Sequence, residues 1–447
     1  MASTAEQMAR NMNFGAFQKA TELQKRIWFT LGALIVYRLG TYIPLPGIDA
    51  VALEHLFRQN AGGLLGMFDM FTGGALSRMT IFALNIMPYI SASIIMQLMT
   101  ALSPPMAQMK KEGESGRKKI NQYTRYLTVL ITVMQAYGIS VGLEAMSAGS
   151  GGVVIEGGWF FRFTTVVTLT GGTMFLMWLG EQITQRGVGN GISLIIFSGI
   201  VANLPTAMAG TLELGRTGAL STIFIIGLFV MAVAVVFLIV YMERAQRRII
   251  VQYPKRQQGN RMTGGESSHL PLKINTSGVI PPIFAGSILG LPVTILGFSA
   301  AGQGPEWVSI LSAWMGRGQP AYLMIYVALI VFFAFFYTAV VFNPHDTAEN
   351  LKKHGGFVPG IRPGKNTAEY LDKVLTRLTV VGAAYLAAIC LLPEILMSRY
   401  AVPIYFGATS LLIVVTVTMD TVAQVQSHML AHQYEGLIKK AKLRGRN

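Results

Sequence analysis

The stretch NIMPYISASI, Asn85–Ile94, has a counterpart far down the chain in GVIPPIFAGSI, Gly278–Ile288. Aligning Pro88 with Pro281 also aligns Ile90 with Ile283 and Ala92 with Ala285. Each stretch sits in an apolar run long enough to cross a bilayer, which takes about 20 residues. A proline inside such a run has no N–H, so Pro88 is expected to leave the Leu84 carbonyl without its helical partner. Within a membrane, such a break is tolerated where the backbone faces protein or a water-lined cavity. Two matched breaks predict a path between two repeated halves. The competing explanation is chance, since isoleucine, alanine and proline are common in membrane helices.

Outward from these stretches the chain is oily. Hydrophobic residues make up 52% and charged residues 13%, against about 25% charged in a soluble protein. Apolar runs lie near 27–43, 75–101, 123–143, 159–180, 188–208, 219–241, 274–297, 321–342, 373–392 and 403–423. The predicted fold is an all-α polytopic membrane protein with ten transmembrane helices. The two matched stretches belong to the second and seventh spans, so each is the second span of a five-span half. An odd number of spans per half makes the halves enter from opposite faces, an inverted repeat with pseudo-symmetry. The expected divisions are an N-terminal segment 1–22, halves 23–210 and 211–425, and a tail 426–447.

The formal net charge is +15, and its placement orients the chain. Only Arg38, Arg58, Arg78, Arg162, Arg216, Arg317 and Arg399 fall toward one face; the other basic residues cluster in alternate gaps and at both ends. The positive-inside rule then places both termini in the cytoplasm. The polar start, MASTAEQMARNMNF, offers no secretory signal. The single cysteine, Cys390, excludes an internal disulfide. Two cytoplasmic loops are long, 242–273 and 343–372, and the first is strongly basic. Connections beyond about 12–15 residues are usually functional, and basic ones suit RNA or an acidic protein partner, although they can also serve only to orient the chain.

One apolar piece is left over. GLLGMFDMFTGGALSRM, Gly63–Met79, is too short to span and is broken by Gly73-Gly74. A half-helix is expected over 62–74, with Leu64, Phe68 and Phe71 on one face and the glycines as a hinge. Motifs for chemistry fail. GIRPGKNT, Gly360–Thr367, has the wrong spacing for a phosphate loop, and GVGNG, Gly187–Gly191, reads as a tight turn. No catalytic or metal constellation and no cofactor is expected, and the spans lack acids at mid-membrane of the kind coupled transporters keep. A protein-conducting channel, an inverted-repeat secondary transporter for a small solute, and a pore-less scaffold all remain open on these grounds.

The segments SRMTIFALNIMPYISASIIMQLMT, KKEGESGRKKINQYTRY, FYTAVVFNP, GGFVPGIRPG and FGATSLLIVV, in this order, resemble the bacterial SecY protein-translocation channel family. The resemblance implies a non-enzymatic channel in the bacterial inner membrane. It would pass unfolded secretory polypeptides and release membrane helices into lipid through a lateral gate. It makes the half-helix a plug that includes Leu64, Leu65, Met67, Phe68, Asp69, Phe71, Gly73 and Gly74. It implies a pore ring of Ile86, Ile90, Ile196, Ile283, Ile288 and Ile413, where apolar side chains hold back ions yet offer a passing peptide no polar grip. Docking of the SecA motor ATPase, or of a ribosome with its nascent chain, falls to Arg247, Arg248, Lys255, Arg256 and Arg362. SecE and SecG are the implied partner subunits, with signal sequences and membrane lipid as further partners. Asn85, Pro88, Asn275 and Thr276 are expected to modulate the gate, and Asn85 stands where the family commonly has glycine.

Overall fold

A helix satisfies its own backbone amides, so apolar runs that meet lipid become helices. The computed structural model describes residues 21–49, 51–53, 72–150, 152–218, 221–253, 256–258, 261–263, 267–289, 319–399 and 408–444. Within them the helices are α1 (Thr21–Gly40), α2 (Met87–Leu102), α3 (Pro104–Lys111), α4 (Glu114–Ser150), α5 (Trp159–Arg186), α6 (Gly191–Arg216) and α7 (Thr222–Arg244). After α7 come strands β1 (Gln246–Gln252), β2 (Arg256–Gln258), β3 (Arg261–Thr263) and β4 (Ser267–Lys273). Then follow α8 (Ile280–Leu289), α9 (Pro320–Val341), α10 (Pro344–Lys353), α11 (Lys365–Arg399) and α12 (Ala408–Arg444). Each of the ten apolar runs carries a helix. Among the described residues, seven helices are long and apolar enough to cross a membrane. The number is eight if α2 and α3, bent by 99° at their break, form one span.

The prolines of the repeat do not break helices. Pro88 is the second residue of α2, and Pro281 is the second residue of α8. In a first turn the missing N–H has no helical partner to lose. The Leu84 carbonyl is not orphaned either, since it accepts from the Met87 N–H at 3.3 Å. The expected mid-span breaks are thus helix starts. What precedes them matches as well. Asn85 has φ 49 and Gly278, its aligned counterpart, has φ 61. A left-handed residue ends the incoming chain in both repeats, and the helix begins two residues later. Glycine and asparagine are the residues that visit this region most cheaply.

The second expected span is shorter than its apolar run. Residues 73–86 are turns and a single bridge, with left-handed backbone at Gly73, Gly74, Met79 and Asn85. This buried segment is held by pairing instead of a helix: the Leu45 N–H donates to Met79 O at 2.9 Å and the Ile81 N–H to Ile43 O at 3.1 Å. The chain is also not wholly helical. The 242–273 loop forms an antiparallel hairpin in which β1 pairs with β4 and β2 with β3. The β-branched run Ile249-Ile250-Val251 suits a strand, and in it Ile249 and Val251 turn inward while Arg247, Arg248 and Ile250 turn out.

The fold divides into two compact units, residues 1–92, 124–205 and 417–447 in the first and 93–123 and 206–416 in the second. In the first, α1 packs on α5. Tyr37, Phe82, Phe175 and Trp178 form a run of neighbouring rings, with centroids 6.2, 5.8 and 5.8 Å apart. Gly40 has no Cβ to meet the Phe82 ring, and this lets the segment after Arg78 lie against α1. Arg125 grips Glu181 through Nε at 3.2 Å and Nη2 at 2.6 Å, joining α4 to α5. Arg162 and the Gly158 N–H both bond Glu144. The α5–α6 turn is bonded on two sides: the Val188 N–H donates to Thr30 Oγ1 and the Gly189 N–H to Gln424 Oε1.

In the second unit, α9 and α10 pack on α11. The hairpin is not free of them. Ile249 and Leu272 from its root meet Val358, Leu371 and Leu375 in one buried cluster. Gln252 and Phe357 exchange both backbone bonds, at 2.9 and 3.0 Å. The loops 242–273 and 343–372 are therefore one packed body. Asn343 caps α10 by accepting from the His345 N–H at 3.0 Å, with Pro344 at the first helical position.

Candidate functional site

The segment expected to form a plug lies largely outside the described residues, which include none of Leu64, Leu65, Met67, Phe68, Asp69 and Phe71. Its root is described and is heavily bonded. Gly73 and Gly74, at φ 69 and 82, turn their carbonyls toward two arginines. Arg38 Nη1 donates to Gly73 O at 2.9 Å. Arg78 Nε donates to Gly74 O at 2.9 Å, and its Nη2 to Gly73 O at 3.2 Å. Both guanidiniums lie over the Tyr42 ring, 5.0 and 4.3 Å from its centroid. Tyr37 Oη donates to Thr72 O at 3.3 Å and accepts from Asn85 Nδ2 at 3.5 Å. The end of α1, the glycine pair and Asn85, two residues before α2, thus share one polar network. Neither arginine was a candidate from the sequence. Arg78 stands four residues after Gly74, but nothing in the sequence brings Arg38, 35 residues away, to the break.

The six isoleucines divide between the two units. In the first, Ile86 and Ile90 are one turn apart, the Ile90 N–H donating to Ile86 O at 3.1 Å. Ile86 is 1% exposed, and Ile90 and Ile196 are buried too. In the second, Ile413 is 1% exposed while Ile283 and Ile288 on α8 are half-buried. The residues expected near the gate have defined neighbours. Asn275 is buried and its Nδ2 donates to Glu243 Oε1 at 2.6 Å and to Gly278 O at 3.1 Å. Thr276 Oγ1 donates to Lys273 O at 3.0 Å.

Glu243, just past the apolar run 219–241, is a buried acid that was not among the candidates. It lies in the last turn of α7, 7% exposed. The sequence placed it at the edge of a charged loop and gave no sign of this.

The basic residues sit on the packed loop body. Arg247 and Arg248 are exposed on β1, and Arg362 is exposed in the turn before α11. The Arg362 carbonyl accepts from Thr367 Oγ1 at 2.9 Å. That bond fixes the turn's backbone and leaves the guanidinium to project. Arg256 lies in β2, and Lys255 is outside the described residues. Among the described residues no group of His, Cys, Asp and Glu could hold a metal ion.

Comparison with known proteins places this geometry. Residues 80–422 match the SecY family. The chain is 57% identical over 424 residues to the protein translocase subunit SecY of Escherichia coli K12, covering 95% of this chain and 96% of the relative. It superposes on the structure of a protein-conducting channel with a TM-score of 0.64 at 17% identity, covering 91% of this chain and 92% of the other. It also resembles Sec61 in the canine ribosome–channel complex, with a TM-score of 0.60 at 17% identity and the same coverage.

Proposed function

The chain belongs to the SecY family, and from that premise we propose that it is the polypeptide-conducting subunit of a protein translocase. It is a channel component and not an enzyme. The observation that carries this reading is the family match across nearly the whole chain, which favours the channel over the small-solute transporter. The repeated left-handed residues Asn85 and Gly278 agree with it. They give each repeat the same entry into a proline-led helix.

In this reading Ile86, Ile90, Ile196, Ile283, Ile288 and Ile413 supply an apolar constriction that holds back ions by excluding water. The segment 62–74 acts as the plug. Its root is held by Arg38, Arg78 and Tyr37. Signal sequences and membrane helices leave laterally into lipid, with Asn85, Pro88, Asn275 and Thr276 near the moving helix starts. The loop body carries Arg247, Arg248 and Arg362 into the cytoplasm for SecA or the ribosome, while SecE and SecG complete the assembly in a bacterial inner membrane with both termini inside. Packing the two loops together gives the docking surface a fixed shape, as recognition requires.

Reconstitution tests the proposal. Liposomes holding this chain with its partner subunits should import an unfolded secretory polypeptide when SecA and ATP are added. Uptake of a small solute on an ion gradient, with no polypeptide import, would overturn it.

A further inference from the structure

Among the described residues, Glu243 is the one carboxyl or basic side chain that is buried, at 7% exposed. Its position is costly. It lies in the last turn of α7, where the helix dipole opposes a negative charge, and burial opposes that charge further. A neighbouring segment offsets part of this cost. Asn275, 2% exposed, donates to Glu243 Oε1 at 2.6 Å and to Gly278 O at 3.1 Å. Ser277 Oγ donates to Asn275 Oδ1 at 3.0 Å, which fixes the amide's orientation. The backbone adds a stitch, the Ile274 N–H donating to Ala245 O at 3.1 Å.

The same segment is pressed by α11. Gly382 approaches so closely that a Cβ there would stand 3.0 Å from the Ile274 carbonyl oxygen. Tyr385, one turn further along α11, is buried, and its hydroxyl has no hydrogen-bond partner among the described residues. The carboxyl, the amide and the left-handed Gly278 thus form the joint between α7 and the proline-led start of α8. The first repeat has its own version of this joint, where Tyr37 at the end of α1 accepts from Asn85.

We propose that Glu243 is a specificity-determining residue of the channel. Through its bond to Asn275 it latches the start of α8 to α7 and so sets how strong a signal sequence must be to displace α8. The proposal rests on the channel reading above. Moving α8 away from α7 must either break the carboxyl's 2.6 Å bond to Asn275 or drag α7 along. Losing a short bond to a buried carboxyl is costly, so the bond favours the resting arrangement. Glu243→Ala removes the acceptor and the cost together. Asn275→Asp sets two carboxyls against each other. Glu243→Gln keeps an acceptor oxygen of the same reach.

The test measures import of one secretory polypeptide carrying either an intact or a defective signal, in liposomes with SecA and ATP. The readout is the ratio of defective to intact import. Glu243→Ala and Asn275→Asp should each raise this ratio about tenfold, and Glu243→Gln much less. The double variant Glu243→Ala/Asn275→Ala should be no more permissive than Glu243→Ala alone. A ratio unmoved by Glu243→Ala, or raised equally by Glu243→Gln, overturns the latch. If Glu243→Ala does not assemble, Asn275→Asp and Glu243→Gln decide the matter in the same way. An unaltered chain that imports neither substrate would instead overturn the channel reading, so the two failures are distinguishable.

Discussion

Replacing Arg78 with alanine should make the resting channel leak ions. Arg78 donates to the carbonyls of Gly74 and Gly73 at 2.9 and 3.2 Å and covers the Tyr42 ring at 4.3 Å. Hydrogen bonds from a charged donor contribute about 1.5–3 kcal/mol each, and the half-buried setting of Arg78 puts these at the low end. The ring contact adds about 0.5–1 kcal/mol. Arg38 keeps its own bond to Gly73 O at 2.9 Å, so part of the anchorage survives. Two bonds and the ring contact at their low ends come to roughly 3.5 kcal/mol, equal to about a few-hundredfold rise in the population with a released root. Planar-bilayer recording of the unpartnered resting channel reads this directly. The leak should climb toward that of a channel lacking residues 64–72, which marks the ceiling. Arg78→Lys keeps the charge but loses the planar fork, and its leak should fall between the two. A leak within about twofold of the parent for Arg78→Ala, in protein that assembles normally, would refute this account of the root.

Three further outcomes are expected. Arg362→Glu should abolish SecA-driven import while leaving assembly intact, because an exposed side chain is reversed in sign without loss of packing; normal import would remove it from the docking surface. Leu371→Ala, at a position 0% exposed in the cluster beneath the hairpin, should cost about 2–5 kcal/mol locally. Hydrogen exchange at Gln252 and Phe357 should then speed up while α9 stays protected, and unchanged protection would show that the loops are not one body. Asn85→Gly should leave signal selectivity nearly unchanged, since glycine fits φ 49 and the contact to Tyr37 that it removes is long, at 3.5 Å. Asn85→Val should destabilise by about 1–2 kcal/mol, because a β-branched residue resists left-handed backbone; thermal unfolding of both variants checks the pair.

The spans were legible because an apolar run of bilayer length has few other conformations. What a residue does at the end of a run was not. Pro88 reads as a break only if the helix is assumed to begin at the start of the apolar run near Ala75. The left-handed residues Met79 and Asn85, which push that start back to Met87, follow from the pairing of 79–81 with 43–45. Nothing local announces that pairing. The hairpin was not legible: RRIIV is two basic residues followed by three apolar ones, and only pairing with β4 and packing on Val358, Leu371 and Leu375 turns Ile249 inward. Glu243 was hidden too, since its partner Asn275 lies 32 residues away. Arg362 was legible as a projecting side chain because glycine and proline surround it. The aromatic and arginine contacts at the Gly73-Gly74 root needed the tertiary fold to bring Arg38 and Tyr42 beside them.

The central claim is that a polypeptide passes along α2 and α8, and site-specific crosslinking of a stalled secretory chain tests it most directly. A photoreactive group placed in turn at Ile90 and at Ile283 should capture the stalled chain at both positions. One at the exposed Val233 of α7 should capture lipid and no polypeptide. Capture at Val233 with none at Ile90 or Ile283 would contradict the account.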